Sequence, residues 1–159
     1  MLKSQKTQKV GNYLETQEVD SLLLNYKKTR WAFNSERIGK ADSLSSWYTV
    51  DELLEFLQKA KMNGADGIRL YFGAYPKDFK KKPEYAERQT IVLVATKSIF
   101  DENGSGIDKN IYINSANGAQ ILAYNMGKAC PPFCFGGIGE PFDFLKNRSL
   151  DIMPADANQ

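Results

Sequence analysis

The sequence predicts an α+β domain, with two N-terminal helices packed on a small antiparallel sheet of three or four strands. Three observations carry this reading. An apolar stripe at helical spacing opens the chain, and a second helix with explicit start and stop signals follows it. The strand-like segments come afterwards, separated by turns and loops rather than by crossover helices. At 159 residues the length is that of a single domain, and a chain of this size buries about 70% of its unfolded surface.

Residues 1–14 read as a loose N-terminal tail, with Lys3, Lys6 and Lys9 and little to bury. The domain is placed at 15–134. Val19, Leu22, Leu23 and Tyr26 fall at i, i+3, i+4 and i+7, which predicts a helix at about 17–31. Acidic residues at its start (Glu15, Glu18, Asp20) and basic ones at its end (Lys27, Lys28, Arg30) suit the helix dipole. Residues 34–46 are polar and read as a loop. Thr49-Val-Asp-Glu52 has the form of a capping box, and Tyr48 with Leu53 that of a hydrophobic staple. The stripe Val50, Leu53, Leu54, Leu57 and Ala60 follows, and Asn63-Gly64 supplies a left-handed stop, so a helix is predicted at 50–62.

Residues 68–75 alternate, with Ile68, Leu70, Phe72 and Ala74 on one face and Arg69, Tyr71, Gly73 and Tyr75 on the other. Pro76 ends that strand. Residues 90–96 are apolar on both faces and predict a central strand. The excursion 76–89 between them carries Lys77, Lys80, Lys81, Lys82 and Arg88. Asp101 to Asp108 reads as a turn region, and 111–113 as a short strand pairing back onto 90–97. Residues 119–129 fit a short helix or an ordered loop. Residues 135–159 read as a linker and a weakly structured C-terminal tail.

Composition narrows function mainly by exclusion. With 21 Lys+Arg against 19 Asp+Glu, the net charge of +2 lacks the basic excess of a nucleic-acid-binding surface. The absence of histidine removes Ser-His, Cys-His and His-metal arrangements together. No glycine-rich phosphate loop is present: Gly127-Lys128 lacks both the earlier glycine and the following Ser/Thr. Asp101-x-Asn103-x-Ser105-Gly106 copies half a calcium loop, but Tyr112 stands where the bidentate Glu is required. No segment has the length of a transmembrane helix and the N-terminus has no signal-peptide pattern, so the expected location is cytoplasmic.

Cys130-Pro-Pro-Phe-Cys134 is the chemically unusual segment. Run as polyproline II, it would hold its end Cα atoms about 12 Å apart, at roughly 3.1 Å per residue. A disulfide needs about 4.4–6.8 Å, and a zinc shared by the two sulfurs needs a similar approach. Either therefore requires a bent loop. Two thiolates do not complete a structural zinc site, so a zinc-stapled homodimer would take four from two chains. Packed free thiols, a structural disulfide, an intersubunit zinc and redox chemistry all stay open for Cys130 and Cys134. Arg69, Tyr71 and Tyr75, an arginine among aromatics on one strand face, are the binding-surface candidates.

The chain resembles a group of small uncharacterised bacterial proteins. The likeness rests on Asn25-Tyr26-Lys27, the Trp47 segment running into Val50-Asp-Glu-Leu53, Gly64-Ala-Asp-Gly-Ile-Arg-Leu-Tyr-Phe72, Thr90-Ile-Val-Leu-Val-Ala-Thr-Lys97 and Cys130-Pro-Pro-Phe-Cys134, in that order. It implies a discrete bacterial domain and no particular activity. The candidate surface aromatics, the closing cysteine segment and the lack of a catalytic set motivate the functional expectation: a non-enzymatic interaction or ligand-binding module with a protein or small-molecule partner and no nucleic acid. The alternative is a thiol-dependent enzyme or redox sensor using Cys130 and Cys134.

Overall fold

The computed structural model describes residues 9–134 and the backbone of 137 and 138. The expected C-terminal tail thus falls almost wholly outside the described residues, and the expected N-terminal tail partly so. A continuous N-terminal helix is formed by α1 (Thr16–Tyr26), a π-helical turn (Lys27–Trp31) and α2 (Ala32–Ile38). Then come β1 (Ser45–Trp47), α3 (Val50–Met62), β2 (Gly67–Ala74), a 3-10 turn (Pro83–Tyr85) and β3 (Gln89–Phe100). The shorter strands β4 (Gly106–Asn110), β5 (Tyr112–Ser115), β6 (Gly118–Ile121), β7 (Ala123–Tyr124), β8 (Lys128–Cys130), β9 (Phe133–Cys134) and β10 (Gly137–Ile138) follow. The chain is α+β, as its sequence predicts.

The main sheet is antiparallel. β3 pairs with β2 from Gly67↔Thr96 to Ala74↔Gln89, with β4 from Thr96↔Asn110 to Phe100↔Gly106, and with β7 at Leu93↔Tyr124 and Val94↔Ala123. The helix α3 lies against this sheet. Its capping box is complete: the Glu52 N–H donates to Thr49 Oγ1 at 3.1 Å, and the Thr49 N–H donates to Glu52 Oε2 at 2.8 Å. It stops at Gly64, where φ is 84° and the Ala65 N–H reaches the Ala60 carbonyl at 3.0 Å. Phe56 and Ala60 point inward onto Leu93, Ala95 and Leu122, with Leu53, Ile68 and Ile91 packed around them. Each large apolar side chain buried this way contributes roughly 1.5–3 kcal/mol.

The first helix differs from expectation in length and in packing. It runs on to Ile38 because Gly39, at φ 69°, provides the left-handed stop. None of its residues is buried. It is held through Asp42, which is itself buried. The Trp31 indole donates to the Asp42 carbonyl at 2.7 Å, and the Asp42 N–H donates to Ser35 Oγ at 2.9 Å. The Asp42 carboxylate accepts from the Ser43 and Gln89 N–H groups at 2.7 and 2.6 Å, fixing the junction to the start of β3. The Tyr26 hydroxyl donates to Gln89 Oε1 at 2.7 Å beside it.

Two other expectations are corrected. The strand near 111–113 forms as β5 and pairs with β6 in a hairpin (Tyr112↔Ile121 to Ser115↔Gly118). The expected return onto 90–97 is kept only at Ile111, whose N–H donates to the Ala95 carbonyl at 2.9 Å, while β4 and β7 are the later strands that pair with β3 there. Residues 119–129, expected as a helix or ordered loop, contribute β6, β7 and the start of β8. The hairpin turns at Ala116-Asn117, closed by the Ser115↔Gly118 pair, and Gly118 just after the turn takes the left-handed conformation at φ 96°, so the Asn-Gly dipeptide marks a tight strand reversal and not a helix. A second cluster, Tyr75, Tyr85 and Ala129 with Phe79, Met126 and Phe133, packs separately from the first.

Candidate functional site

Two regions emerge from this architecture, and the first is β2. Among the described residues it pairs only with β3, so its other edge has no strand neighbour. Its even-numbered side chains share the α3 face of the sheet: Ile68 packs into the core, opposite Ala95. Leu70 pairs with the buried Leu93 and Phe72 with Ile91, yet they are 61% and 82% exposed. The apolar face of the sheet therefore continues onto the edge strand beyond what α3 covers.

On the opposite face Arg69 and Tyr71 come together as the sequence suggests. The guanidinium donates to the Tyr71 hydroxyl at 3.3 Å and lies 5.9 Å from that ring's centre. It also donates to the Asp108 carbonyl at 3.0 Å and pairs with the Asp108 carboxylate at 3.7 Å. Hydrogen bonding from Arg69 lowers the Tyr71 phenol below its ordinary pKa, and the same bond raises that of Arg69. Beside them Asp66 accepts from the Ser98 N–H at 2.9 Å and pairs with Lys97 at 3.4 Å, while the Ser98 hydroxyl donates to Asp108 at 2.8 Å. These contacts tie β2, β3 and β4 together across the outer face.

Tyr75 does not join that surface. It is 9% exposed and belongs to the second core cluster, with its ring stacked on Phe79 at 4.5 Å. Its hydroxyl donates to Asn125 Oδ1 at 2.6 Å and accepts from the Thr90 hydroxyl at 3.1 Å. Burial raises its pKa, a shift that the Thr90 bond partly opposes. The alternation that placed it beside Tyr71 breaks as β2 ends at Ala74.

The second region is the cysteine corner. Cys130 and Cys134 are joined by a disulfide, with Cα atoms 4.9 Å apart, and both are 8% exposed. The bend required by the sequence is present, with cis peptide bonds at Cys130-Pro131 and Pro131-Pro132. β8 pairs with β1, the Leu44 N–H donates to the Cys130 carbonyl at 2.7 Å, and the Ser43 hydroxyl donates to the Pro131 carbonyl at 3.1 Å. With both sulfurs bonded to each other neither is a thiolate, so a shared zinc would need the reduced pair. No cluster of three or more His, Cys, Asp or Glu side chains suited to a metal occurs among the described residues.

Phe133, between the cysteines, forms one wall of an open cleft of about 380 Å³. Trp47, Lys82, Glu84, Met126 and Lys128 also line it. Sequence reasoning missed these residues because they lie on four separate segments that only the folded chain brings together. It also missed the exposure of Leu70 and Phe72, since alternation marks a face as apolar without saying where its cover ends. The chain matches no family model, no curated protein and no solved structure. Among the described residues no helix is long and apolar enough to cross a membrane.

Proposed function

We propose that this chain is a non-enzymatic interaction module whose contact element is the free edge of β2, and that its occupant there is a second copy of the chain. The observation carrying the reading is Phe72, 82% exposed on an eight-residue edge strand. Such edges are usually blunted by charged side chains, proline or a bulge; β2 has no proline, and its one charge, Arg69, is paired with Asp108. The Tyr75 N–H donates to the Arg88 carbonyl. By antiparallel alternation, the backbone groups of Ile68, Leu70 and Phe72 then face away from β3.

A two-fold antiparallel pairing centred on Tyr71 sets Leu70 of one copy opposite Phe72 of the other, twice. On the other face Tyr71 meets its symmetry mate and Arg69 faces Gly73, so no like charges are opposed. Sedimentation velocity over about 1–200 μM is expected to show a reversible dimer. Phe72→Glu is expected to leave a folded monomer whose thermal stability matches that of the wild-type chain at concentrations where the latter is also monomeric. A wild-type chain that stays monomeric, or a dimer indifferent to both Phe72→Glu and Leu70→Glu, refutes the reading.

The bonded cysteines favour a second reading, a redox sensor using Cys130 and Cys134. It requires a thiol of lowered pKa in the reduced protein, and alkylation of that protein at the ordinary thiol rate would sink it.

A further inference from the structure

Beyond self-association, we infer that the cleft between β1, the Pro83–Tyr85 turn and the β8–β9 corner binds a small zwitterion bearing a planar ring, of the aromatic amino-acid type. Trp47, 58% exposed, together with Phe133 and Met126 offers an apolar lining, and about 380 Å³ lies within the range of small-molecule sites.

Lys128 Nζ lies 5.3 Å from the centre of the Trp47 ring, and Lys82 Nζ lies 4.9 Å from that of Tyr85. Among the described residues the ion pairs are Arg69–Asp108 and Lys97–Asp66, both on the sheet, so neither cleft lysine is neutralised by one. Two carboxylates also line the cleft, but they are not equivalent. Glu52 is engaged at both oxygens. Its Oε2 accepts from the Thr49 N–H and hydroxyl at 2.8 and 2.9 Å, and its Oε1 accepts from the Tyr124 hydroxyl at 3.0 Å. That leaves two ammonium groups and the Glu84 carboxylate to meet a ligand. A simple anion would face Glu84 at a cost. A ligand with one carboxylate and one ammonium beside a ring answers all three charges and the apolar wall together.

The cleft is also held rigid, which favours binding by reducing the ordering that a ligand must impose. The Tyr85 hydroxyl donates to the Gly127 carbonyl at 3.2 Å and accepts from the Ala129 N–H at 3.1 Å. Met126, in the lining, has φ 76°, a conformation that non-glycine residues rarely adopt. Asn125 locks it: its Oδ1 accepts from the Met126 N–H, while its Nδ2 donates to the Ile91 carbonyl at 2.8 Å and to Thr90 Oγ1 at 3.1 Å. Backbone strain fixed by its surroundings in this way is concentrated at ligand-binding positions.

The test is an amide-NMR titration of the full chain with L-phenylalanine, 3-phenylpropionate and phenethylamine. Phenylalanine is expected to give saturable shifts at Gly127, Lys128, Ala129 and the Trp47 indole. Phenethylamine is expected to bind at least about ten-fold more weakly. Lys82→Ala/Lys128→Ala should abolish the shifts. Glu84→Gln should erase the advantage of phenylalanine over 3-phenylpropionate. No saturable shift in the cleft, shifts confined to β2, or phenethylamine binding as well as phenylalanine would overturn the inference. A monomeric chain that still binds phenylalanine separates this site from the β2 reading.

Discussion

Breaking the Cys130–Cys134 bond should loosen one corner of the molecule and leave the main core in place. The bridge closes a loop of five residues, counting both cysteines. In the chain-entropy treatment a loop that short restricts the unfolded chain by about 7 cal/mol/K, or about 2 kcal/mol at 25 °C. For a chain of this size that corresponds to a fall in Tm of roughly 4–8 °C. Thermal unfolding followed by far-ultraviolet circular dichroism, with and without a phosphine reductant, reads the loss. A Cys130→Ser/Cys134→Ser variant guards against side effects of the reductant. The change should also be local. Exchange of the Leu44 amide, which donates to the Cys130 carbonyl, should accelerate. The Ala95 amide, bonded to the Leu122 carbonyl in the α3-covered core, should keep its protection. Melting temperatures within a degree of each other, or equal acceleration at Leu44 and Ala95, would refute the reasoning.

Two further perturbations address the scaffold around the candidate sites. Tyr85→Phe removes a hydroxyl that serves both Gly127 and Ala129 in a side chain only 1% exposed. It should cost about 1–3 kcal/mol in denaturant unfolding, and a loss under about 0.3 kcal/mol would mean that the hydroxyl does not hold the wall. Asp66 supplies the pH dependence. Burial pushes its pKa up, but the Ser98 N–H and Lys97 outweigh it, so the folded value lies below the ordinary one. A folded pKa below the unfolded value of about 3.9 gives stability that is present above that pH and is lost as pH falls through the folded value. Asp66→Asn should therefore flatten the acid limb of the stability profile; an unchanged limb would contradict the assignment.

How far the sequence could be read depended on whether the signal was local. Helix α3 was legible at both ends because its cap and stop are chemistry within one turn: Thr49 with Glu52, and Gly64 in the left-handed region. The β2–β3 pair was legible from alternation followed by an all-apolar run. The overrun of the first helix to Ile38 had a local signal too, since Gly39 is a helix stop, but the polar run 34–38 outweighed it. The β5–β6 hairpin was likewise announced by Asn117-Gly118. Long-range facts were not legible. Nothing near Asp42 says that its carboxylate will hold the Gln89 amide. Nothing near Trp47 says that Lys128 will lie over its ring. The arginine–tyrosine pair could be foreseen on one strand face, but the departure of Tyr75 into a core could not. The cysteine segment lay between these cases: its geometry demanded a bend for a bond to form, and the choice among bond, thiols and metal was left to the fold.

The wide turn at Lys27–Trp31 means that the N-terminal helix carries one residue more than regular winding needs. The Ala32 N–H reaches back five residues to the Lys27 carbonyl, so that segment holds slack which an α-helix would not. Deleting one residue there would let plain α-helix form while both halves keep their orientations. Keeping every residue and tightening the turn would instead swing Val19, Leu22 and Leu23 through about 100° relative to Trp31 and Ile38, the angle of one α-helical residue. The exposed stripe of Val19, Leu22 and Leu23 thus owes its direction, relative to Trp31 and Ile38, to a single turn.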